Sequence, residues 1–137
     1  MNLKYRLISG MCAVIVSCSL VLYYSSIAMA DEIKYEQSYV TVLASAYCPC
    51  EKCCSKKFSD GKTATGRNAY LKGVAVDKSV IPLGSRLDIP EYGNWVVADD
   101  TGGAIKGNHI DVRFKTHKKA IEWGVKIIKI RIWRKIK

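Results

Sequence analysis

Two aspartates stand at either end of a glycine-rich loop in this chain of 137 residues. Asp100 precedes the loop, residues 101–107, and Asp111 follows it. Short apolar runs at 95–98 and 110–114 flank the loop, and both predict β-strands. The two carboxylates are therefore expected to face each other, joined by a backbone that can approach a ligand closely. Carboxyl groups held together with unequal burial commonly include one with a raised pKa, which can act as a general acid.

The surroundings of each aspartate predict different roles. Asp111 lies between apolar Ile110 and Val112, and both apolar surroundings and a neighbouring ionised carboxylate raise a carboxyl pKa. Asp100 precedes a turn whose backbone N–H groups can hold it ionised, so the pair would combine a proton donor with a negative partner. Asp77, at the end of an earlier apolar strand, can join them. One such aspartate alone commonly caps a turn, and it is the trio that favours a site.

Short β-rich segments separated by turn signals predict a small barrel. The predicted strands are 39–47, 73–77, 86–89, 95–98, 110–114 and 125–133. Thr116 is expected to cap a short helix that ends at Gly124. A polar loop, 48–67, follows the first strand, and a loop of that length in a small domain is usually functional. Six or so strands with one helix favour a closed barrel, because closure removes exposed sheet edges.

The order of four motifs resembles a known family. The motifs are Gly73-Val74-Ala75-Val76-Asp77, Val80-Ile81-Pro82-Leu83-Gly84-Ser85, the stretch from Asp100 to Gly107, and Ile110-Asp111-Val112. Together they resemble the three-aspartate (3D) domain, which is shared by the catalytic part of membrane-bound lytic transglycosylase A and by stationary-phase survival proteins related in role to resuscitation-promoting factors. The resemblance runs from about Tyr39 to Ile132. It implies a small, mainly β fold, the six-stranded double-psi β-barrel with a short helix.

The resemblance also implies a reaction. In lytic transglycosylases a single acid protonates the glycosidic oxygen and then takes the proton from the C6 hydroxyl of N-acetylmuramic acid, which attacks C1 to give a 1,6-anhydro sugar. By resemblance Asp111 takes the catalytic position, with Asp100 and Asp77 in support, and the substrate is a peptidoglycan glycan strand. No cofactor is implied. Candidate substrate contacts are Tyr47, Thr65, Gly66, Thr101, Gly102, Gly103 and Lys106, although Tyr47 can equally be a strand-end aromatic and Lys106 a solvated lysine.

Four cysteines, Cys48, Cys50, Cys53 and Cys54, crowd into the loop after the first strand. An exported chain usually oxidises an even number of cysteines, so we expect two disulfides that cross between the first pair and the second. Four thiolates can also bind zinc, and free thiols are the third alternative. His117 has no partner that the sequence assigns.

The first thirty residues have the features of an export signal. Lys4 and Arg6 precede an apolar run, 7–27, and Ala28-Met29-Ala30 forms a small-residue cleavage site. This divides the chain into a signal peptide, 1–30, a loose polar lead-in, 31–38, and the domain, 39–137. The apolar run is also long enough for an uncleaved membrane anchor, and Cys18 offers a lipoprotein acylation site. We expect an exported protein of the cell wall, periplasm or extracellular space.

The net charge of +10 suits polyanionic partners. For an exported chain these are wall polymers and peptidoglycan carboxylates rather than nucleic acid, and we expect a monomer that contacts a membrane only if the leader is retained. Two competing functions remain. Asp100-Thr101-Gly102 is also the aspartic protease tripeptide, but such an enzyme needs two copies and this chain has one. A similar barrel in expansins loosens polysaccharide without cutting it, so a non-catalytic wall-binding module is the main alternative.

Overall fold

Short strands with one apolar face pair side by side until the sheet closes on itself. The computed structural model describes residues 33–56 and 60–136, so the predicted signal peptide and Cys18 lie outside the described residues. The elements are β1 (Tyr35–Tyr47), β2 (Val74–Val76), β3 (Arg86–Ile89), β4 (Gly93–Asp100), β5 (His109–Arg113), α1 (His117–Trp123) and β6 (Lys126–Lys135). The six strands and the short helix confirm the predicted fold class.

The strand order around the barrel is β1-β5-β2-β4-β3-β6, and β6 pairs back with β1. The β1–β5 and β2–β4 pairs are parallel, and the other four pairs are antiparallel. Each of the six strands therefore has a neighbour on both sides. Closure satisfies the backbone hydrogen bonds that an open sheet of this size would expose at its edges.

Alternation along the strands fills the barrel with aliphatic side chains. Ile110 and Val112 on β5 are fully buried, whereas the residues between and beside them turn to the other face. The same alternation on the remaining strands completes one core cluster, which includes Val42, Ala44, Val74, Val76, Leu87, Ile89, Val96, Ala98, Ile130 and Ile132. Burial of this apolar surface is the main stabilising contribution to the fold.

The helix begins and ends as the sequence predicts. The Thr116 hydroxyl accepts a hydrogen bond from the Lys119 backbone N–H at 3.4 Å, and Gly124 ends the helix with a positive φ of 69°. Trp123 packs against Tyr92, with ring centroids 5.9 Å apart, and so attaches the helix to the barrel. Within the described residues, no helix has the length and apolar character needed to cross a membrane.

The first strand begins earlier than predicted. The polar segment 31–38 was expected to be a loose lead-in, whereas β1 starts at Tyr35 and its first four residues pair with 132–135 of β6. Backbone pairing does not require apolar side chains, which is why the polarity of this segment misled the prediction. The Tyr35 ring also packs edge-on against Trp95 at 5.2 Å, which gives this extension a contact of its own.

Candidate functional site

The barrel register sets four residues in a row across four strands. Asp111 on β5 lies beside Ser45 on β1 and beside Ala75 on β2, and Ala75 is in turn beside Asp100 on β4. With strands spaced about 4.8 Å apart, the two aspartates are roughly 10 Å apart at the backbone. The small side chain of Ala75 between them leaves room for a ligand to reach both carboxyl groups.

A cleft of about 560 Å³ lies over this row. It is lined by both aspartates, by the glycine-rich loop and by parts of the long loop after β1: Tyr47, Cys53, Cys54, Ser55, Asp60, Lys62, Thr63, Ala64, Ala75, Asp100, Thr101, Gly102, Gly103, Ile105 and Asp111. The structure thus brings together four of the predicted substrate contacts, Tyr47, Thr101, Gly102 and Gly103. The cleft volume lies within the range of small-molecule binding sites.

Asp111 is a half-buried carboxyl group with a single side-chain partner among the described residues. The Ser45 hydroxyl donates to Asp111 Oδ1 at 2.9 Å and lies 2.8 Å from His109 Nε2. Burial raises the pKa of Asp111, and the charge of Asp100 adds to the rise, while the Ser45 hydrogen bond and His109 oppose it. The predicted direction is confirmed. Of the two predicted causes, the neighbouring charge of Asp100 is confirmed. The other needs correction, because the side chains of Ile110 and Val112 face the barrel core on the opposite side of the strand from Asp111.

Asp100 is surrounded by hydrogen-bond donors. Its Oδ1 accepts from the backbone N–H groups of Ala64 and Thr101, both at 2.9 Å, and its Oδ2 accepts from the Tyr47 hydroxyl at 2.5 Å. The Arg113 guanidinium lies 3.7 Å from the same oxygen. An ionised carboxylate, which only accepts hydrogen bonds, matches these surroundings.

A buried arginine supports Asp100 from below. Arg113 donates to Asp99 Oδ2 at 2.9 Å, to the Tyr47 hydroxyl at 3.1 Å and to the Leu71 carbonyl at 3.0 Å. Its side chain is fully buried, and the Asp99 carboxylate is 1% exposed. The chain of contacts from Arg113 through Tyr47 to Asp100 fixes the orientation of that carboxylate. Burial raises the pKa of Tyr47, so its hydroxyl keeps the proton it donates.

Gly73 has no room for a side chain beside this ion pair. A Cβ atom at Gly73 would lie 2.0 Å from Arg113 Nη2 and 2.5 Å from Asp99 Oδ1. The glycine of the 73–77 motif is therefore required by the buried Arg113–Asp99 pair.

The third aspartate, Asp77, does not line the cleft. Its carboxylate accepts hydrogen bonds from the Ser79 hydroxyl and backbone and from the Gly107 N–H at 2.8 Å, and these lower its pKa to about 2. The antiparallel pairing of β2 with β5 places the end of β2 beside the start of β5, where the glycine-rich loop arrives. Asp77 thus ties the end of the loop to β2.

Three further predicted contacts also lie outside the cleft lining. The Thr65 hydroxyl donates to the Asp99 carbonyl at 3.0 Å, and Gly66 adopts a positive φ of 79° in the same turn. Lys106 is exposed, and its charge contributes to the lowered pKa of Asp77.

Sequence reasoning missed Ser45, Asp99 and Arg113 as parts of the site. A signal was present for Arg113, a charged residue inside an apolar strand, and for Asp99, a charged residue directly after the apolar run of β4. Ser45 is a small polar residue in an alternating strand and carries no signal of its own. Only the parallel register of β1 with β5 places it next to Asp111.

The four cysteines of the described part of the chain are free thiols in the structure, not the two disulfides that we expected. Cys53 and Cys54 line the cleft. Cys48, Cys50 and Cys53 gather around His117, to which the sequence assigned no partner.

Comparison with known proteins supports the resemblance. Residues 72–134 match the sequence profile of the 3D domain. Over 97 residues the chain is 45% identical to a Bacillus subtilis (strain 168) protein named "Putative cell wall shaping protein YabE", covering 68% of this chain and 22% of the relative. Over 76 residues it is 47% identical to "Cell wall-binding protein YocH" of the same organism, covering 53% and 26%. The chain thus spans about a quarter of the length of these relatives.

Among solved structures, the crystal structure of MltA from E. coli aligns with a TM-score of 0.43 and 26% identity, over 55% of this chain and 28% of that one.

Proposed function

We propose that this 3D-domain protein binds peptidoglycan glycan strands in its cleft and cleaves them as a lytic transglycosylase, with Asp111 as the single acid and base. One observation carries the proposal. Asp111 is a half-buried carboxyl group with a raised pKa, open to the cleft and separated from Asp100 only by the width of Ala75. Perturbed carboxyl groups in a cleft are candidate catalytic groups because burial matches their pKa to proton transfer.

In the proposed reaction, protonated Asp111 donates its proton to the glycosidic oxygen as the bond from that oxygen to C1 breaks. The resulting Asp111 carboxylate then takes the proton of the C6 hydroxyl on N-acetylmuramic acid, and the C6 oxygen bonds to C1. The product is a 1,6-anhydro sugar, and Asp111 returns to its protonated form without consuming water. The raised pKa favours the first step, because it keeps the proton on Asp111 to a higher pH.

Asp100 supplies the second electrostatic element of this proposal. Positive charge develops at C1 as the glycosidic bond breaks, and a fixed carboxylate facing that atom stabilises it. Asp100 is held by three hydrogen bonds, so little reorganisation is needed when the charge develops. Ser45 and His109 act one step further back, where the Ser45 hydroxyl orients the Asp111 carboxyl group.

Binding without cleavage is the alternative function. It is favoured by the name of the relative YocH, a cell wall-binding protein, and the same cleft would serve it. The excess of basic residues, +10 over the full chain including Lys4 and Arg6 of the predicted signal peptide, suits attraction to anionic wall polymers under either function. Both place the protein outside the cytoplasm, as the predicted export signal does.

Product analysis separates the two. Protein purified from cells that express the full chain is incubated with purified peptidoglycan, and the soluble products are identified by mass spectrometry. We expect 1,6-anhydromuropeptides, each lighter by one water than the corresponding hydrolysis product, and none from Asp111→Asn. Products with reducing ends would identify a hydrolase instead. Sedimentation with peptidoglycan but no products would establish the binding alternative.

A further inference from the structure

Three thiols and one imidazole meet at a single point beside the cleft. Their ligand atoms, Cys48 Sγ, Cys50 Sγ, Cys53 Sγ and His117 Nδ1, all lie within 4.8 Å of one another. We call these four residues the Cys48 cluster. Cys48 follows directly after β1, Cys50 and Cys53 belong to the next turn, and His117 is the first residue of α1. The imidazole thus comes from an element 64 to 69 residues away in the chain.

The distances within the Cys48 cluster are close to those of a tetrahedral ligand set. Cys48 Sγ lies 3.0 Å from Cys50 Sγ and 3.5 Å from Cys53 Sγ. His117 Nδ1 lies 3.8, 3.8 and 3.2 Å from the three sulfurs in turn. Zinc bonds of about 2.3 Å to sulfur and about 2.0–2.1 Å to nitrogen give tetrahedral edges of about 3.5–3.8 Å. Three of the five distances lie within this range, and the Cys48–Cys50 and Cys53–His117 distances are shorter by about 0.3–0.5 Å.

The backbone of the turn is arranged to present these sulfurs. The N–H groups of Cys53 and Cys54 both donate to the Cys50 carbonyl, at 3.0 and 2.8 Å, which turns the chain back toward Cys48. The fourth cysteine is directed elsewhere, because the Cys54 thiol contacts the Cys48 carbonyl at 3.5 Å and does not belong to the cluster. The turn therefore selects three of the four thiols.

We propose that the Cys48 cluster is a structural Zn²⁺ site with three cysteine ligands and one histidine ligand. Three thiolates and an imidazole satisfy the preference of zinc for sulfur and nitrogen, and four protein ligands leave no open position for a substrate. The site carries a net charge of −1, and the adjacent basic residues Lys52, Lys118 and Lys119 offset it. The ion ties the loop after β1 to the start of α1.

This site bears on the cleft without taking part in its chemistry. Cys53 is both a ligand of the proposed ion and part of the cleft lining, and Cys54 and Ser55 continue that wall. Metal binding stabilises the folded state of small domains, because the unfolded chain has no preformed site. The ion thereby holds one wall of the cleft in place. The inference stands independently of whether the cleft cleaves or only binds glycan.

The test measures metal and thiols directly. Protein purified anaerobically from cells that express the full chain is assayed for zinc by elemental analysis and for its redox state by intact mass with and without alkylation. After chelation under reducing conditions it is titrated with Zn²⁺ and with Co²⁺. We expect about one zinc per chain, and a Co²⁺ spectrum with the visible bands of a tetrahedral site and near-ultraviolet thiolate charge transfer. The melting temperature falls on chelation and recovers with Zn²⁺.

Single substitutions locate the site. We expect Cys53→Ser and His117→Gln to weaken Zn²⁺ binding more than about tenfold, whereas the matched control Cys54→Ser stays within about twofold. The wild-type Co²⁺ spectrum keeps the test valid should a variant fail to fold. The proposal is overturned by a protein that is disulfide-bonded as isolated and takes up no metal after reduction. It is also overturned if the protein has four free thiols and does not bind Zn²⁺. A third refuting outcome is Zn²⁺ binding that is lost in Cys54→Ser but retained in His117→Gln.

Discussion

Replacing Asp111 with asparagine separates its chemical role from its structural one. The amide keeps the shape and still accepts the Ser45 hydrogen bond at Oδ1, but it cannot deliver a proton. Loss of a general acid typically lowers a rate 10²–10⁴-fold. At about 1.36 kcal/mol per tenfold, this raises the activation free energy by about 3–5 kcal/mol. We therefore expect turnover of peptidoglycan by Asp111→Asn to fall by at least 10²-fold.

The same substitution has a predictable effect on stability. Because burial raises the pKa of Asp111 above its ordinary 3.8, folding is opposed wherever the carboxyl group ionises. The contribution of Asp111 to stability is complete below pH 3.8 and is lost as pH rises through its folded pKa. Asp111→Asn is thus expected to melt at or above the wild-type temperature at pH 7, and the difference should vanish near pH 3.5.

Asp100→Asn should lower the melting temperature, unlike Asp111→Asn. Its amide group would point two donors at the Tyr47 hydroxyl and the Arg113 guanidinium, where the carboxylate now accepts. Leaving such buried groups unpaired costs about 1–3 kcal/mol, which lowers the melting temperature of a domain of this size by about 4–8 °C per kcal/mol. We expect reduced turnover and reduced stability together.

Mass spectrometry of released anhydromuropeptides and thermal unfolding followed by circular dichroism measure both quantities on the same preparations. Wild-type turnover in Asp111→Asn would remove Asp111 as the acid. A melting temperature of Asp111→Asn at pH 7 well below that of the wild type would show that the cleft does not oppose ionisation of Asp111.

Three further substitutions, one of them with a matched control, test the groups around the two aspartates. Gly73→Ala should cost at least about 1–3 kcal/mol in urea unfolding because its Cβ would overlap Arg113, whereas Gly103→Ala, with open space at that position, should cost well under half of that. Asp99→Asn should destabilise by about 3–5 kcal/mol, since it removes the carboxylate charge that pairs with the fully buried Arg113 at 2.9 Å and leaves only Asp100, 3.7 Å away, as a counter-charge. Ser45→Ala removes a hydrogen bond that lowers the pKa of Asp111, so the high-pH limb of the pH–rate profile should move to higher pH, and an unmoved limb would exclude Ser45 as a positioning residue.

Local patterns in the sequence located the secondary-structure elements, although β1 begins four residues before the predicted strand. Alternation and turn residues located all six strands, and Thr116 and Gly124 bounded the helix as predicted. The glycine-rich loop between Asp100 and Asp111 was recognisable because each end lies in an apolar strand. These features depend on neighbours in the chain, so they can be read without knowledge of the fold.

The sequence could not supply the contacts that depend on strand order. The parallel pairing of β1 with β5 places Ser45 beside Asp111 although the two are 66 residues apart. Asp77 was grouped with the other aspartates by its place in the motif order, yet the antiparallel pairing of β2 with β5 directs it to Gly107. In the same way, the approach of His117 to the cysteines follows from where α1 begins, which no local pattern encodes.

The division between barrel and loops gives the site two independent levels of control. The positions of Asp111 and Asp100 follow from the strand register on either side of Ala75 and from the buried Arg113–Asp99 pair, both of which belong to the barrel. The cleft walls come from loops. The Asp77–Gly107 contact fastens one loop to β2, and the proposed ion at the Cys48 cluster would fasten another to α1. A change in a wall can therefore alter which ligand enters while the two carboxyl groups keep their separation. The same barrel would then serve a cleaving protein and a binding protein, with the proton on Asp111 deciding between them.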